Sequence, residues 1–358
     1  MRSVKIGKRM IGDGEPLYFI ADIAANHDGE LERALMLIEL AAESGADAAK
    51  FQNFVAERIV SRKGFESVGR HSHQASWKKP VFEVYRDASI SREWTSALKE
   101  KCMEVGIDYF SSPYDFESVD HIDPFVDVYK IGSGDITWLE ILDYIASKNK
   151  PVILATGAST MEDVKRAMKT LRGHTDEIVL MQCNTNYTGS AENFNYLNLN
   201  VLKTYSEEFP GTLLGLSDHT PGHASVTGAV ALGARVFEKH FTDDNNREGP
   251  DHKFAMNPES WKQMVENANA CYRALGDGVK RIEKNEMETV FLQRRGLRFT
   301  SDLPAGHKVT KNDIFPLRPA TAQSVPPYRA DEIIGRRLAR DVCVDDEVSM
   351  EDFTEDSD

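Results

Sequence analysis

The chain has 358 residues, of which 41% are hydrophobic and 28% charged, and its formal net charge is −14. This length allows one large barrel or two to three ordinary domains, with a core that needs no disulfide or structural metal to fold. The composition excludes bulk disorder, and the acidic balance argues against nonspecific binding to nucleic acid or anionic lipid, while leaving room for a local basic pocket.

No apolar run approaches the roughly 20 residues of a membrane span. The N-terminus shows no basic segment followed by an apolar one, so a cytoplasmic protein is expected. Cys102, Cys183, Cys271 and Cys343 are scattered without short pairing, which suits a reducing compartment and small buried filler rather than a zinc cluster.

Eight short apolar segments begin near Tyr18, Asp47, Ile107, Val126, Pro151, Glu177, Thr212 and Arg235, and helix-patterned stretches separate them. Three share one run-in, a helix closing on glycine before a strand: Glu43–Lys50, Glu104–Phe110 and Ala231–Phe237. Glycine suits the position after a helix end, where φ is positive. Repeated strand–helix units predict parallel strands with crossover helices, and eight units in roughly 260 residues predict a (β/α)8 barrel over 1–275. The rival, a doubly wound open sheet, would place a glycine-rich phosphate turn after the first strand. That turn here reads Ala24-Ala-Asn-His-Asp-Gly29.

A long interruption from Asn53 to Asp87 carries His71, His73, Trp77, Lys78 and Lys79 and reads as a lid or specificity loop. Residues 276–293 read as a polar linker, and 294–353 as a small domain with little regular structure, broken by Gly and Pro. The acidic tail, 354–358, is expected to be disordered.

In a barrel, chemistry sits at the C-terminal ends of the strands. Here those ends carry Asp22, Lys50 with Gln52 on one face, Ser112, Lys130 through Asp135, Thr156, Tyr187, Ser217 with His219, and Glu238 with His240. Lys50 and Lys130 with Ser112, Ser133 and Ser217 read as a cradle for a phosphate or phospho-carboxylate, or else the lysines form structural ion pairs with nearby acids. His219 and His240 end neighbouring strands and suit a divalent metal, Mn²⁺ first, with Mg²⁺ or Co²⁺ as alternatives. His27 and His252 are further polar candidates.

Five motifs in register carry a family resemblance: Phe19-Ile-Ala-Asp-Ile-Ala-Ala-Asn-His-Asp-Gly29, Gly45-Ala-Asp-Ala-Ala-Lys-Phe-Gln52, Tyr129-Lys-Ile-Gly-Ser-Gly-Asp135, Gly215-Leu-Ser-Asp-His-Thr220, and Glu238-Lys-His-Phe241 with Gly249-Pro-Asp-His252. Together they resemble the sialic acid synthases, phosphoenolpyruvate-condensing nonulosonate synthases built as a barrel followed by a small antifreeze-like (SAF) domain. The resemblance implies condensation of phosphoenolpyruvate with an open-chain N-acyl hexosamine, such as N-acetylmannosamine or a 2,4-diacetamido sugar. The products are a nine-carbon 2-keto-3-deoxy acid and phosphate.

By position, the resemblance implies metal ligation by His219 and His240, and phosphoenolpyruvate binding by Lys50, Ser112, Lys130, Ser133 and Ser217. It implies sugar binding by Gln52, Tyr187 and Asp251, with Arg318 reaching across a homodimer. Asp22 and Asp135 stand as catalytic carboxylates where the family commonly has Glu. Thr185 and Ala155 also depart from the commoner pattern. Two other readings remain at this stage, a Schiff-base pyruvate aldolase using Lys50 or Lys130 and a non-catalytic carbohydrate- or ice-binding protein.

Overall fold

The structure is a computed structural model that describes residues 2–68, 74 and 77–354, so His71, His73 and the last four residues of the acidic tail lie outside the described residues. It divides into two compact units, one ending at Gly276 and one starting at Asp277. The first opens with a hairpin, β1 (Ser3–Ile6) paired antiparallel with β2 (Arg9–Gly12). Next come β3 (Tyr18–Asp22), α1 (Leu31–Glu43), β4 (Ala48–Asn53), α2 (Ala56–Ile59), α3 (Arg62–Val68), α4 (Val81–Ala88) and α5 (Trp94–Val105). Then β5 (Asp108–Pro113), α6 (Phe116–Ile122), β6 (Tyr129–Ile131), α7 (Leu139–Ala146), β7 (Val152–Ala155), α8 (Met161–Leu171) and β8 (Ile178–Cys183) follow. The unit finishes with α9 (Val201–Glu208), β9 (Leu213–Asp218), α10 (Ala224–Ala231), β10 (Val236–His240) and α11 (Pro258–Ala274).

Strands β3 to β10 form one parallel sheet in the order β5-β4-β3-β10-β9-β8-β7-β6, and the end strands β5 and β6 lie close together. This is the expected (β/α)8 barrel, nearly closed, with a strand at each of the eight expected segments. Gly45, Gly106 and Gly233 take φ of +89°, +82° and +97°, which explains glycine in the shared run-in. No helix among the described residues is long and apolar enough to cross a membrane.

The expected loop between β4 and α5 is largely helical. Its apolar spacing builds a small core of its own, in which Ala56, Val60 and Phe82 pack with Ile59, Phe65 and Tyr85. The filler reading of the cysteines holds for Cys102 and Cys183, which are buried, but not for Cys343, which is exposed.

In the second unit, α12 (Met287–Gln293) buries no residue, and β11 (Gly296–Phe299) pairs antiparallel with β12 (Ile314–Leu317). The rest is mainly turns and irregular backbone with a few short 3₁₀ segments, around a compact apolar core that includes Leu297, Phe299, Val309, Ile333 and Val348.

Alternation along the barrel strands explains where chemistry can occur. Outward residues such as Phe19, Phe51, Leu154, Leu180, Leu216 and Phe237 pack under the helices. Inward residues begin apolar, with Tyr18, Ala48, Phe110, Val128, Val179, Leu213 and Val236 forming the interior core. The hairpin, outside the eight expected segments, adds Val4, Ile6 and Ile11 to that cluster and so closes the N-terminal end. Two residues further along, the same inward face becomes charged.

Gly215 lies on this inward face between Leu213 and Ser217. A Cβ there would meet the Val236 carbonyl oxygen at 2.7 Å and Met181 at 3.0 Å, so the barrel interior depends on its absence. Gly215→Ala is expected to destabilise the barrel by about 1–3 kcal/mol. Calorimetry should show the barrel transition at lower temperature, and an unchanged midpoint would contradict this account of the interior.

Candidate active site

At the C-terminal end of the barrel lies a cavity of about 400 Å³. Asp22 comes from β3, Lys50 and Gln52 from β4, Lys130 from β6, Ser217 from β9, and Glu238 and His240 from β10. Ser133, Asp135, Tyr187, His219 and Asp251 enter from the segments after strands. The α2–α4 segment also reaches it, through Ile59, Val84 and Tyr85 among others, as expected for a lid or specificity element.

Four charges form the floor. Lys50 Nζ lies 2.8 Å from Asp22 Oδ2 and 3.1 Å from Glu238 Oε2, and Lys130 Nζ lies 3.3 Å from Glu238 Oε1. Ser217 Oγ donates to Glu238 Oε1 at 3.1 Å. None of the four charged residues is more than 4% exposed. Burial therefore opposes ionisation of each, and their mutual contacts decide the outcome. Against burial, Lys130 and Lys50 hold the Glu238 carboxyl down at about 2. Against burial, Asp22 and Glu238 hold the Lys50 ammonium above its ordinary range. Burial dominates at Lys130 and lowers it, while burial together with Glu238 raises Asp22 against the pull of Lys50. Both readings of the lysines thus meet in one place, since they are ion-paired and they line an open cavity.

Beside this floor stand the two histidines, with ring centroids 5.4 Å apart. Burial lowers each to about 4, and for His219 the neighbouring His240 adds to it, so both imidazoles are neutral at pH 7. His219 Nδ1 donates to the Asn184 carbonyl at 2.9 Å, which leaves its Nε2 as the unprotonated nitrogen. His240 Nδ1 is buried without a hydrogen-bond partner, and its Nε2 lies 3.5 Å from Asp22 Oδ2. Tyr187 and Phe254 flank the pair, with centroids 4.4 Å from His219 and 4.8 Å from His240 respectively.

Neutral imidazoles, one with its tautomer set by a carbonyl and one with a buried unpartnered nitrogen, fit a divalent transition metal. Among the described residues no group of three or more His, Cys, Asp or Glu is arranged to hold one.

Several expected residues lie elsewhere. Ser112 pairs with Gln52 across β5 and β4, and its buried hydroxyl has no partner, but it does not line the cavity. Arg318 belongs to the C-terminal unit, where it is exposed. Thr156 is turned to structure, donating to the Met181 carbonyl at 2.8 Å. His252 binds Asp28 at 2.8 Å and Thr242 at 2.7 Å, and this holds the loop that carries Asp251. His27 is fully buried and accepts from the Gly29 amide at 3.0 Å.

The sequence reading named Glu238 as a strand end but gave it no role, although strand alternation puts it on the same face as His240. It named Cys183 only as a strand end and as filler, although it lines the cavity, and it missed Tyr114 in the cavity wall and Phe254 against the histidine rings.

Burial raises the Asp135 carboxyl from 3.8 to about 6. Between these values the folded chain holds a proton that the unfolded chain has released. The stability this confers is full below about pH 4 and lost above about pH 6. Asp135→Asn should therefore stabilise the barrel at pH 8 by on the order of 1–2 kcal/mol, after discounting for partial exposure, and the gain should shrink toward pH 4. Urea unfolding at the two pH values checks this, and a gain independent of pH would contradict it.

Comparison with known proteins agrees with this geometry. Residues 37–280 match the NeuB family and residues 294–352 match the SAF domain. The N,N'-diacetyllegionaminic acid synthase of Legionella pneumophila is 35% identical over 334 residues, 92% of either chain. The human N-acetylneuraminate-9-phosphate synthase is 30% identical over 344 residues, 96% of this chain and 94% of the relative. Among solved structures, the N-acetylneuraminic acid synthetase of Leptospira borgpetersenii, in complex with citrate, superposes with a TM-score of 0.70 at 26% identity. It covers 81% of this chain and 96% of that one. With its barrel, its cavity and its C-terminal SAF domain, the chain belongs to the NeuB family of sialic acid synthase-type proteins.

Proposed function

We propose that the protein condenses phosphoenolpyruvate with an open-chain N-acyl hexosamine, N-acetylmannosamine or a 2,4-diacetamido sugar, to give a nine-carbon 2-keto-3-deoxy acid and phosphate. The observation that carries this reading is one cavity holding two buried lysines beside two neutral imidazoles. A polyanion and a carbonyl compound have separate, adjacent recognition groups there. A non-catalytic carbohydrate binder needs neither. The Schiff-base alternative requires a neutral amine; Asp22 and Glu238 hold Lys50 protonated, so that route would fall to Lys130, whose ammonium form burial disfavours.

In this reading Lys50, Lys130, Ser133 and Ser217 grip the phosphate and carboxylate of phosphoenolpyruvate, while Gln52, Tyr187 and Asp251 orient the sugar. Mn²⁺ held by His219 and His240, when bound, would polarise the sugar aldehyde as a Lewis acid. A bond forms between C3 of phosphoenolpyruvate and the aldehyde carbon, whose oxygen gains a proton. Water adds to C2 and loses a proton. The new C2 hydroxyl then gives up its remaining proton and becomes the ketone as the bond from C2 to the bridging oxygen breaks, and phosphate leaves with that oxygen and takes up the proton.

Asp135, raised to about 6 by burial, can hold or release a proton at its carboxyl oxygen near neutral pH. Asp22 lies within 3.5 Å of both Lys50 and His240 and orders that side of the cavity. Both aspartates stand one methylene short of the family's commoner glutamate.

Phosphate release from phosphoenolpyruvate, measured against a panel of 2-acetamido and 2,4-diacetamido hexoses, should depend on the sugar and stop in excess chelator. His219→Ala or His240→Ala should remove Mn²⁺ binding. Asp22→Asn and Asp135→Asn should each lower turnover about 10²–10⁴-fold. Full activity in chelator would end the metal reading, and a lysine trapped by borohydride with pyruvate would favour the aldolase.

We further propose a homodimer in which Arg318 serves the partner subunit's cavity. Its side chain is exposed and makes no hydrogen bond or ion pair among the described residues, so it is available for such a contact. Lys50→Ala and Arg318→Ala homodimers should each be inactive. Random mixing should restore about a quarter of wild-type activity, because half the dimers then hold one complete site. Mixed dimers that form without any return of activity would overturn the exchange.

A further inference from the structure

Behind the two histidines, on the outer face of the barrel, lies a pair of charges that the proposed chemistry does not use. Outward positions on β9 and β10 are otherwise apolar: Leu214 and Leu216 on one strand, Phe237 on the other. At the C-terminal ends this changes to Asp218 and Lys239, directly opposite each other in the ladder and each 1% exposed. Lys239 Nζ lies 2.5 Å from Asp218 Oδ2. Such a pair is an expensive way to fill an apolar layer, since well-packed apolar residues of similar volume are often as stabilising or more so. Its distinguishing property is direction, because each partner is held at one distance and angle.

What the pair is tied to gives that direction a purpose. The Asp218 carboxylate accepts from the Thr220 amide at 3.0 Å, from the Thr220 hydroxyl at 2.9 Å and from Ser225 Oγ, in the first turn of α10, at 2.5 Å. Lys239 Nζ donates to the Thr220 carbonyl at 2.6 Å. His219 is the residue between Asp218 and Thr220, so the backbone is clamped on both sides of it. His240 follows Lys239 directly. One buried ion pair therefore fixes the chain segments that carry both imidazoles.

We infer that Lys239 and Asp218 are positioning residues that set the separation and orientation of His219 and His240 for a divalent metal, an inference that rests on the two-imidazole reading above. Neither touches the cavity. They act through the backbone rather than by bonding the imidazoles, and the expected loss is about the 10–100-fold in metal affinity that follows removal of direct outer partners.

The test uses the metal-free full-length chain and Mn²⁺ alone. Single substitutions leave an unpaired buried charge and can unfold the barrel, so the main variant is Asp218→Asn with Lys239→Met, which leaves none. Tyr18→Phe, which removes a hydrogen bond from β3 to Asp108 of β5 at the opposite end of the barrel, serves as the control for general loosening. Mn²⁺ titration followed by electron paramagnetic resonance should show binding weakened about 10–100-fold in the double variant and unchanged in the control.

A folded double variant that binds Mn²⁺ like wild type would overturn the inference, as would equal weakening in Tyr18→Phe. If wild type itself binds no Mn²⁺, the metal reading fails, and nitrogen NMR of the imidazoles decides the positioning claim. His219 should keep its Nδ1–H tautomer in wild type and average between tautomers in the double variant. A fixed tautomer in both would overturn the inference.

Discussion

Two ammonium groups buried inside a barrel impose the arrangement around them. Lys50 and Lys130 project from β4 and β6 into an interior whose lower half is aliphatic and aromatic. Neither can stay charged there without partners, and Asp22 and Glu238 supply them. The carboxylates then compete with any incoming anion for the same lysines. A weakly charged ligand would gain little by displacing them, whereas a dense polyanion such as phosphoenolpyruvate can share the lysines with Glu238 and Asp22. In the proposed reading the quartet favours a ligand of high charge density, and it is neutral overall when all four groups are ionised.

The same strands carry a second polarity. Their inward face supplies the cavity and their outward face supplies the apolar layer under the helices, so each two-residue step along a strand has a fixed meaning. The exception on the outward side, Asp218 with Lys239, sits where β9 and β10 deliver the two histidines. Function at the inner surface and order at the outer surface are joined through single peptide units at those two strand ends. Because the helices bury the outer pair completely, motion in the loop carrying His219 is restrained where the imidazoles must converge.

Much of this was legible in the chain because strand ends in a barrel are few and their residue types are unusual. Lys50, Lys130, His219 and His240 at the ends of apolar segments pointed to the cavity before any geometry. The closing glycines at 45, 106 and 233 marked where strands begin. Glu238 was given no role although alternation with His240 marks it as inward, and its register beside Ser217 places it among the lysines. The hairpin at Ser3–Gly12 is too short for periodicity to reveal, and its value lies in a distant contact with the barrel interior. Tyr114 reaches the cavity, and Phe254 packs against the histidine rings, through loop geometry that no local pattern encodes. Ser112 was placed as a strand end and by the family resemblance, yet whether its hydroxyl opens to the cavity depends on sheet curvature.

The central claim is that phosphate leaves phosphoenolpyruvate by cleavage of its C–O bond after water has added at C2. The direct measurement uses phosphoenolpyruvate labelled with ¹⁸O in the bridging position, with an accepted N-acyl hexosamine and Mn²⁺, and reads the products by mass spectrometry. The account predicts that the label appears in inorganic phosphate and that the ketone oxygen of the sugar acid comes from solvent. Label held in the freshly formed ketone, with unlabelled phosphate, would mean that the P–O bond breaks and would contradict the account.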